Sequence, residues 1–244
     1  MSKRPDKRAS SRVVREQIER ERRRKRTAWI AIIALGALAI GGVVGWTIYA
    51  SNRASGVNTP AETNSAGNGI VTGSGPVVVE DYVDFLCPYC KVYHDDAAVN
   101  VAKLLAENKI TLIQHPVAYL DRFSTNNYST RASAASGCAA DDGHFQEYVN
   151  VLFANQPAEG SAGPTDDQLI KLGTDNGLSE NFARCVRDKK YVTWAKKVSD
   201  DAGEAGVTGT PTVFVNGKKV QATANSIVAA VNNEAGAPTA SPTN

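Results

Sequence analysis

The chain has 244 residues, of which 42% are hydrophobic and 21% charged, and its 27 Lys/Arg against 25 Asp/Glu leave a net charge of +2. This composition excludes a wholly disordered chain and a strongly basic nucleic-acid binder. The near-neutral total hides a split: residues 1–26 carry 12 Lys/Arg against 4 Asp/Glu, a net +8, which leaves 15 against 21, a net −6, in the remainder.

In residues 1–26 the run from Arg12 to Arg26 interleaves arginines with Glu16, Glu19 and Glu21. No aromatic residue interrupts it, so the stacking half of a nucleic-acid site is missing, and it reads as a topogenic cytoplasmic segment. From Thr27 to Asn52 there is no Asp, Glu, Lys or Arg, and Trp29, Trp46 and Tyr49 stand near the two ends of the apolar centre. About 21 helical residues rise about 31 Å, matching a hydrocarbon core of about 30 Å. A buried core helix would keep a polar face. A signal peptide would have a shorter apolar run and a better cleavage site than Ile48-Tyr49-Ala50 or Asn52-Arg53-Ala54. Residues 27–52 are therefore expected to be an uncleaved transmembrane anchor. The cluster Arg22 to Arg26 before it puts the N-terminus in the cytoplasm and everything after residue 52 outside.

Residues 53–75 are rich in Ser, Gly, Asn, Thr and Ala without apolar periodicity and read as a flexible linker; 236–244 reads as a disordered tail. Residues 76–235 form one expected folded unit without internal repeats. Val77 to Phe85 reads as a strand, running directly into Cys87-Pro88-Tyr89-Cys90 and a helix to Glu107. Pro88 suits the first helical position, which places Cys87 at the N-cap. A second strand is expected over 110–117. Helices follow over 129–140, 144–155, after the capping box Thr165 to Gln168, over 179–188 and over 191–204. Thr212 to Val215, the turn Asn216-Gly217 and Lys218 to Val220 read as a hairpin, and a last helix covers about 225–233.

The chemistry centres on Cys87 and Cys90. Free N–H groups and the dipole at a helix head favour a thiolate, lowering the pKa of such a cysteine to roughly 3.5–7.5 from about 8.5. A thiol of that kind is a nucleophile near neutrality and a good leaving group from a mixed disulfide. The expected cycle has a substrate thiolate attacking an exposed Cys87 sulfur, with Cys90 one helical step inside. Zinc held by this pair and His94 lacks a second Cys-x-x-Cys or His pair to complete four ligands, so no metal is expected. An inert extracellular disulfide is the other alternative.

Phe85 to Cys90, the acids Asp81 and Asp84 ahead of them, His144-Phe145 through Leu152 to Gln156, and Gly209-Thr210-Pro211-Thr212 through Asn216-Gly217 together resemble DsbA-like thiol:disulfide oxidoreductases, in the membrane-anchored actinobacterial form. The resemblance covers about residues 77–231. It implies an α/β thioredoxin fold interrupted by an inserted helical domain at about 120–201, here preceded by the one N-terminal transmembrane helix. It implies extracytoplasmic disulfide chemistry, a cis Pro211 beside the redox pair, and Thr210 against the substrate backbone. Asp81 stands where the family has a buried acid; buried near Cys90, such a carboxyl has a raised pKa and can take up its proton. His94, seven residues after Cys87, is a second candidate to influence the thiolate, against a packed or solvated ring. Tyr89 replaces the His that the best-known oxidases carry between the cysteines and brings no positive charge.

With Cys87 and Cys90 paired, Cys138 and Cys185 are left to each other, as a structural clamp or a second redox pair. The function expected is oxidation of reduced secreted proteins without a cofactor. Reoxidation falls to an integral-membrane, quinone-linked partner of the DsbB or vitamin-K-epoxide-reductase (VKOR) type. The alternatives are an isomerase or reductase kept reduced by a membrane electron carrier, and a non-catalytic module presenting peptides or copper. Met1 is the only methionine, which disfavours copper. No separate dimerisation segment is evident, which favours a monomer.

Overall fold

The computed structural model describes residues 56–235; the expected cytoplasmic segment, the anchor and the tail lie outside them. No helix among the described residues is long and apolar enough to cross a membrane. In chain order the elements are β1 (Ile70–Thr72), β2 (Val77–Val83), α1 (Pro88–Ala106), β3 (Ile110–Pro116), α2 (Tyr128–Asp141), α3 (Phe145–Ala154), α4 (Asp166–Thr174), α5 (Glu180–Arg187), α6 (Val192–Glu204), β4 (Thr212–Val215), β5 (Lys218–Val220) and α7 (Ala224–Ala235). The sheet order is β1-β3-β2-β4-β5, with β2 and β3 parallel and every other pair antiparallel.

The parallel pair at the centre is the product of the β-α-β unit read from sequence. Its strands alternate buried and half-buried residues at first, then are buried continuously over Asp81–Val83 and Gln114–Pro116. Continuous burial means that both faces are covered there, at the strand ends that deliver the chain to the cysteines. The covering comes partly from the helical insertion, whose α6 packs on β3, while α1 and α7 pack together and against the sheet. Asp96 on α1 accepts a hydrogen bond from Ala224 N (2.7 Å), capping α7. The capping box at Thr165 is present, with Gln168 N donating to its hydroxyl and Thr165 N to the Gln168 side chain, worth about 1 kcal/mol. Asn216 and Gly217 both adopt positive φ (45° and 74°), as an Asn-Gly hairpin turn requires.

The expected linker over 53–75 is corrected in its described part. Ile70 is buried and β1 pairs with β3, while the segment before it is fastened by polar contacts. Ala61 N donates to Asp141 Oδ1 (2.8 Å), Trp194 Nε1 donates to Gly67 O (2.9 Å), and Asn68 Nδ2 donates to Asp201 Oδ2 (2.8 Å). Two of the glycines that make this segment look flexible serve close approach. A Cβ at Gly75 would lie 2.2 Å from Ile110 N, and one at Gly69 would lie 2.7 Å from the His115 ring. Apolar periodicity is absent because the segment is held by hydrogen bonds and contact with backbone.

Candidate active site

Cys87 is the N-cap of α1 and Pro88 its first residue, as the sequence requires, and no side chain caps the helix. The Cys87 sulfur therefore sits at the positive end of the helix. Both Cys87 and Cys90 are free thiols here. The Cys87 thiol is brought down to about 6, first by a hydrogen bond from Cys90 and also by the N–H groups of Cys90 and Tyr89, against the opposing effect of burial. Burial, reinforced by the Cys87 charge, pushes the Cys90 thiol far up. The pair is thus split into a nucleophile and a protonated reserve.

The expectation of an exposed Cys87 is corrected: the residue is only 4% accessible, while Tyr89 beside it is 76% exposed. Cover comes from two directions. The Thr210 carbonyl accepts from the Cys87 thiol at 3.5 Å, and the Thr210–Pro211 peptide is cis. From the insertion, Gln156 Nε2 donates to the carbonyls of Phe85 and Cys87, each at 3.0 Å. Gln156 was visible in sequence only as the end of a motif, because its two contacts reach back about 70 residues.

Asp81 is buried, and burial raises its pKa to about 6, against hydrogen bonds from Tyr93 and Gln114. Tyr93 OH donates to Asp81 Oδ2 at 3.1 Å and Gln114 Nε2 at 3.2 Å. Burial, with the Asp81 charge, pushes the Tyr93 hydroxyl up in turn. Asp81, Tyr93, Gln114, Gln146 and Asn150 line a cavity of about 90 Å³. His94 falls elsewhere. Its ring stacks on Phe153 (centroids 4.7 Å apart, 28° between planes), and burial lowers its pKa. No hydrogen bond joins it to Cys87 among the described residues. A neutral, stacked imidazole answers the packed alternative.

Cys138 and Cys185 form a disulfide joining α2 to α5 across 47 positions. Cys138 is buried and Cys185 half-buried. Among the described residues no group of three or more His, Cys, Asp or Glu converges as a metal site.

The five-stranded sheet with a helical insertion, and a Cys-x-x-Cys pair at the head of α1, define a thioredoxin-like redox domain. The thioredoxin family profile matches residues 65–233, and the chain belongs to that family, resembling its DsbA-like members. The reduced DsbA of Mycobacterium tuberculosis superposes with a TM-score of 0.63 at 30% identity, over 70% of this chain and 93% of that one. The reduced disulfide bond oxidoreductase DsbG of the same organism gives 0.60 at 31% identity, over 73% and 86%. A curated relative, Na(+)/H(+) antiporter NhaA 1 of Salinispora arenicola, is 32% identical over 144 residues, 59% of this chain. The match spans only 21% of that antiporter's length, about a fifth of the curated relatives matched first.

Proposed function

We propose that the chain is a membrane-anchored, extracytoplasmic thiol oxidase that forms disulfides in secreted proteins through Cys87 and Cys90. The observation that carries this reading is the asymmetry of the pair, one thiol lowered to about 6 and its neighbour pushed far up. At pH 7 such a thiol is roughly nine-tenths ionised, which stabilises the reduced form by about 1.4 kcal/mol relative to an ordinary cysteine. The sign follows from the lowered pKa. The stabilisation is full above about pH 9 and is lost as pH falls through 6. A stabilised reduced form draws electrons from substrates.

The reaction starts from the Cys87–Cys90 disulfide. A substrate thiolate attacks the Cys87 sulfur, forming a substrate–Cys87 disulfide and breaking the bond to Cys90, whose thiolate takes a proton. A second substrate thiolate attacks the substrate sulfur of that mixed disulfide and releases the Cys87 thiolate. Two substrate thiols are oxidised and one enzyme disulfide is reduced. Asp81, hydrogen-bonded by Tyr93 and with a pKa of about 6, is the group we assign to hold the proton that Cys90 gains and returns. Thr210 and Pro211 offer the backbone edge along which an extended substrate lies. The family resemblance supports reoxidation by an integral-membrane, quinone-linked partner of the DsbB or VKOR type, which takes two electrons and two protons from the pair. The anchor at 27–52 keeps both reactions at the membrane.

A second reading, an isomerase or reductase, is favoured by Tyr89, which adds no positive charge beside the thiolate. One experiment separates them. Acid-quenched alkylation of cells should find Cys87 and Cys90 mainly oxidised, and reduced once the membrane partner is deleted. A pair found reduced in the normal cell overturns the oxidase.

A further inference from the structure

Asp84, just beyond β2, is buried and joins more of the redox turn than Asp81 does. Its carbonyl accepts from Cys87 N (3.0 Å) and its N–H donates to Cys90 Sγ (3.4 Å). Its carboxylate oxygen Oδ1 accepts from Leu86 N (2.8 Å) and from Ser129 Oγ (2.7 Å), while Oδ2 accepts from Leu120 N (2.9 Å). Three of these partners belong to the redox turn. The other two, Leu120 and Ser129, belong to the helical insertion and flank the short 3-10 turn Asp121–Phe123. One buried residue therefore ties the cysteine turn to both sides of the insertion's first turn: its backbone bonds Cys87 and Cys90, and its carboxylate joins Leu86 to Leu120 and Ser129. Its pKa is raised to about 6, by burial first and by the Cys87 charge last, so the acid and the thiol also interact electrically.

We propose that Asp84 is the positioning residue of the redox site: it holds the Cys90 sulfur and the Cys87 amide in register with the helical insertion, so that the insertion sets how readily the pair closes. This rests on thiol–disulfide exchange at Cys87 and Cys90, but not on its direction in the cell. The alternative is an ordinary buried acid that only stabilises the fold.

The distinguishing quantity is the effective concentration of Cys90 toward Cys87, measured on the full chain in detergent by equilibration with reduced and oxidised glutathione. Hydrogen bonds to a buried carboxylate are strong enough for their loss to move such an equilibrium severalfold. Asp84→Asn, which turns one acceptor into a donor facing a donor, should lower the effective concentration about tenfold. Ser129→Ala should lower it about threefold, and Ser129→Thr, which keeps the hydroxyl, should restore it. A folded Ser129→Ala chain within about twofold of the unaltered one overturns the proposal, whatever happens to thermal stability, and this holds even if Asp84→Asn does not fold. A pair found reduced in the cell would defeat the oxidase reading and leave this measurement unaffected.

Discussion

The two cysteine pairs sit at opposite electrical ends of helices. Cys87 heads α1, and its pKa is lowered first by the hydrogen bond from Cys90 and further by the N–H groups at this positive end of the helix. Cys138 and Cys185 both lie in the last turn of their helices, α2 and α5, where the dipole is negative and a thiolate is disfavoured. Breaking a disulfide by exchange must release a thiolate. A thiolate at Cys87 is stabilised when it leaves a mixed disulfide, and one at Cys138 or Cys185 gains nothing from its helix end, so the placements favour exchange at the first pair and a clamp at the second. The chemistry of a cysteine pair thus depends on the helix end it occupies as well as on the partner cysteine.

Removing the clamp should give the largest effect. The chain-entropy account assigns a 47-residue separation about 4 kcal/mol. Replacing Cys138 and Cys185 by Ala should therefore lower unfolding free energy by about 2–4 kcal/mol in urea titrations, with exchange per folded molecule retained. Loss of exchange in a folded variant would break the comparison by showing that the second pair takes part.

A smaller effect, opposite in sign, is expected at Asp81. Its raised pKa means that the stability it contributes is present below about pH 4 and is lost as pH rises through 6. Asp81→Asn removes this liability and should raise stability at pH 7.5 by up to about 3 kcal/mol, while leaving it nearly unchanged at pH 4. Unfolding curves at the two pH values check the difference. The same variant should slow exchange at Cys90, the mark of a site that gives up stability for function.

The smallest effect belongs to the position between the reactive cysteines. Tyr89→His adds a titratable positive charge near the thiolate, but 76% exposure screens it. The midpoint of Cys87 ionisation should fall by no more than about 1 pH unit, read from thiolate absorbance. A larger fall would mean that the residue between the cysteines rivals the helix end in control of the pair.

Much of the site was legible in the sequence because its signals are local. A strand ending at a Cys-Pro-Tyr-Cys helix start, the Asn216-Gly217 turn and the Thr165 capping box each occupy a few neighbouring residues. What was not legible depends on contacts across the chain. β1 has three residues, and the polar contacts that fasten the segment before it come from α2, α6 and β3. Asp84 reads locally as one more acid at the end of a strand, and only Ser129, 45 positions on, and Leu120 give it a role. His94 has the right spacing along α1, yet Phe153 from α3 decides where its ring lies. Spacing along one element states which residues share a face, and the neighbouring element states what that face meets.

Trp194 is the only tryptophan among the described residues. Its ring is wholly buried, its Nε1 is bonded to Gly67 O, and Gly137, next to Cys138, leaves room beneath it. The folded domain thus carries a built-in optical gauge placed where the N-terminal segment meets the clamp, on a different part of the fold from Cys87. Its fluorescence should follow detachment of residues 57–69 and opening of the Cys138–Cys185 clamp. Any emission change produced solely by oxidising Cys87 and Cys90 would then measure how far a single bond at the redox turn is felt through the insertion.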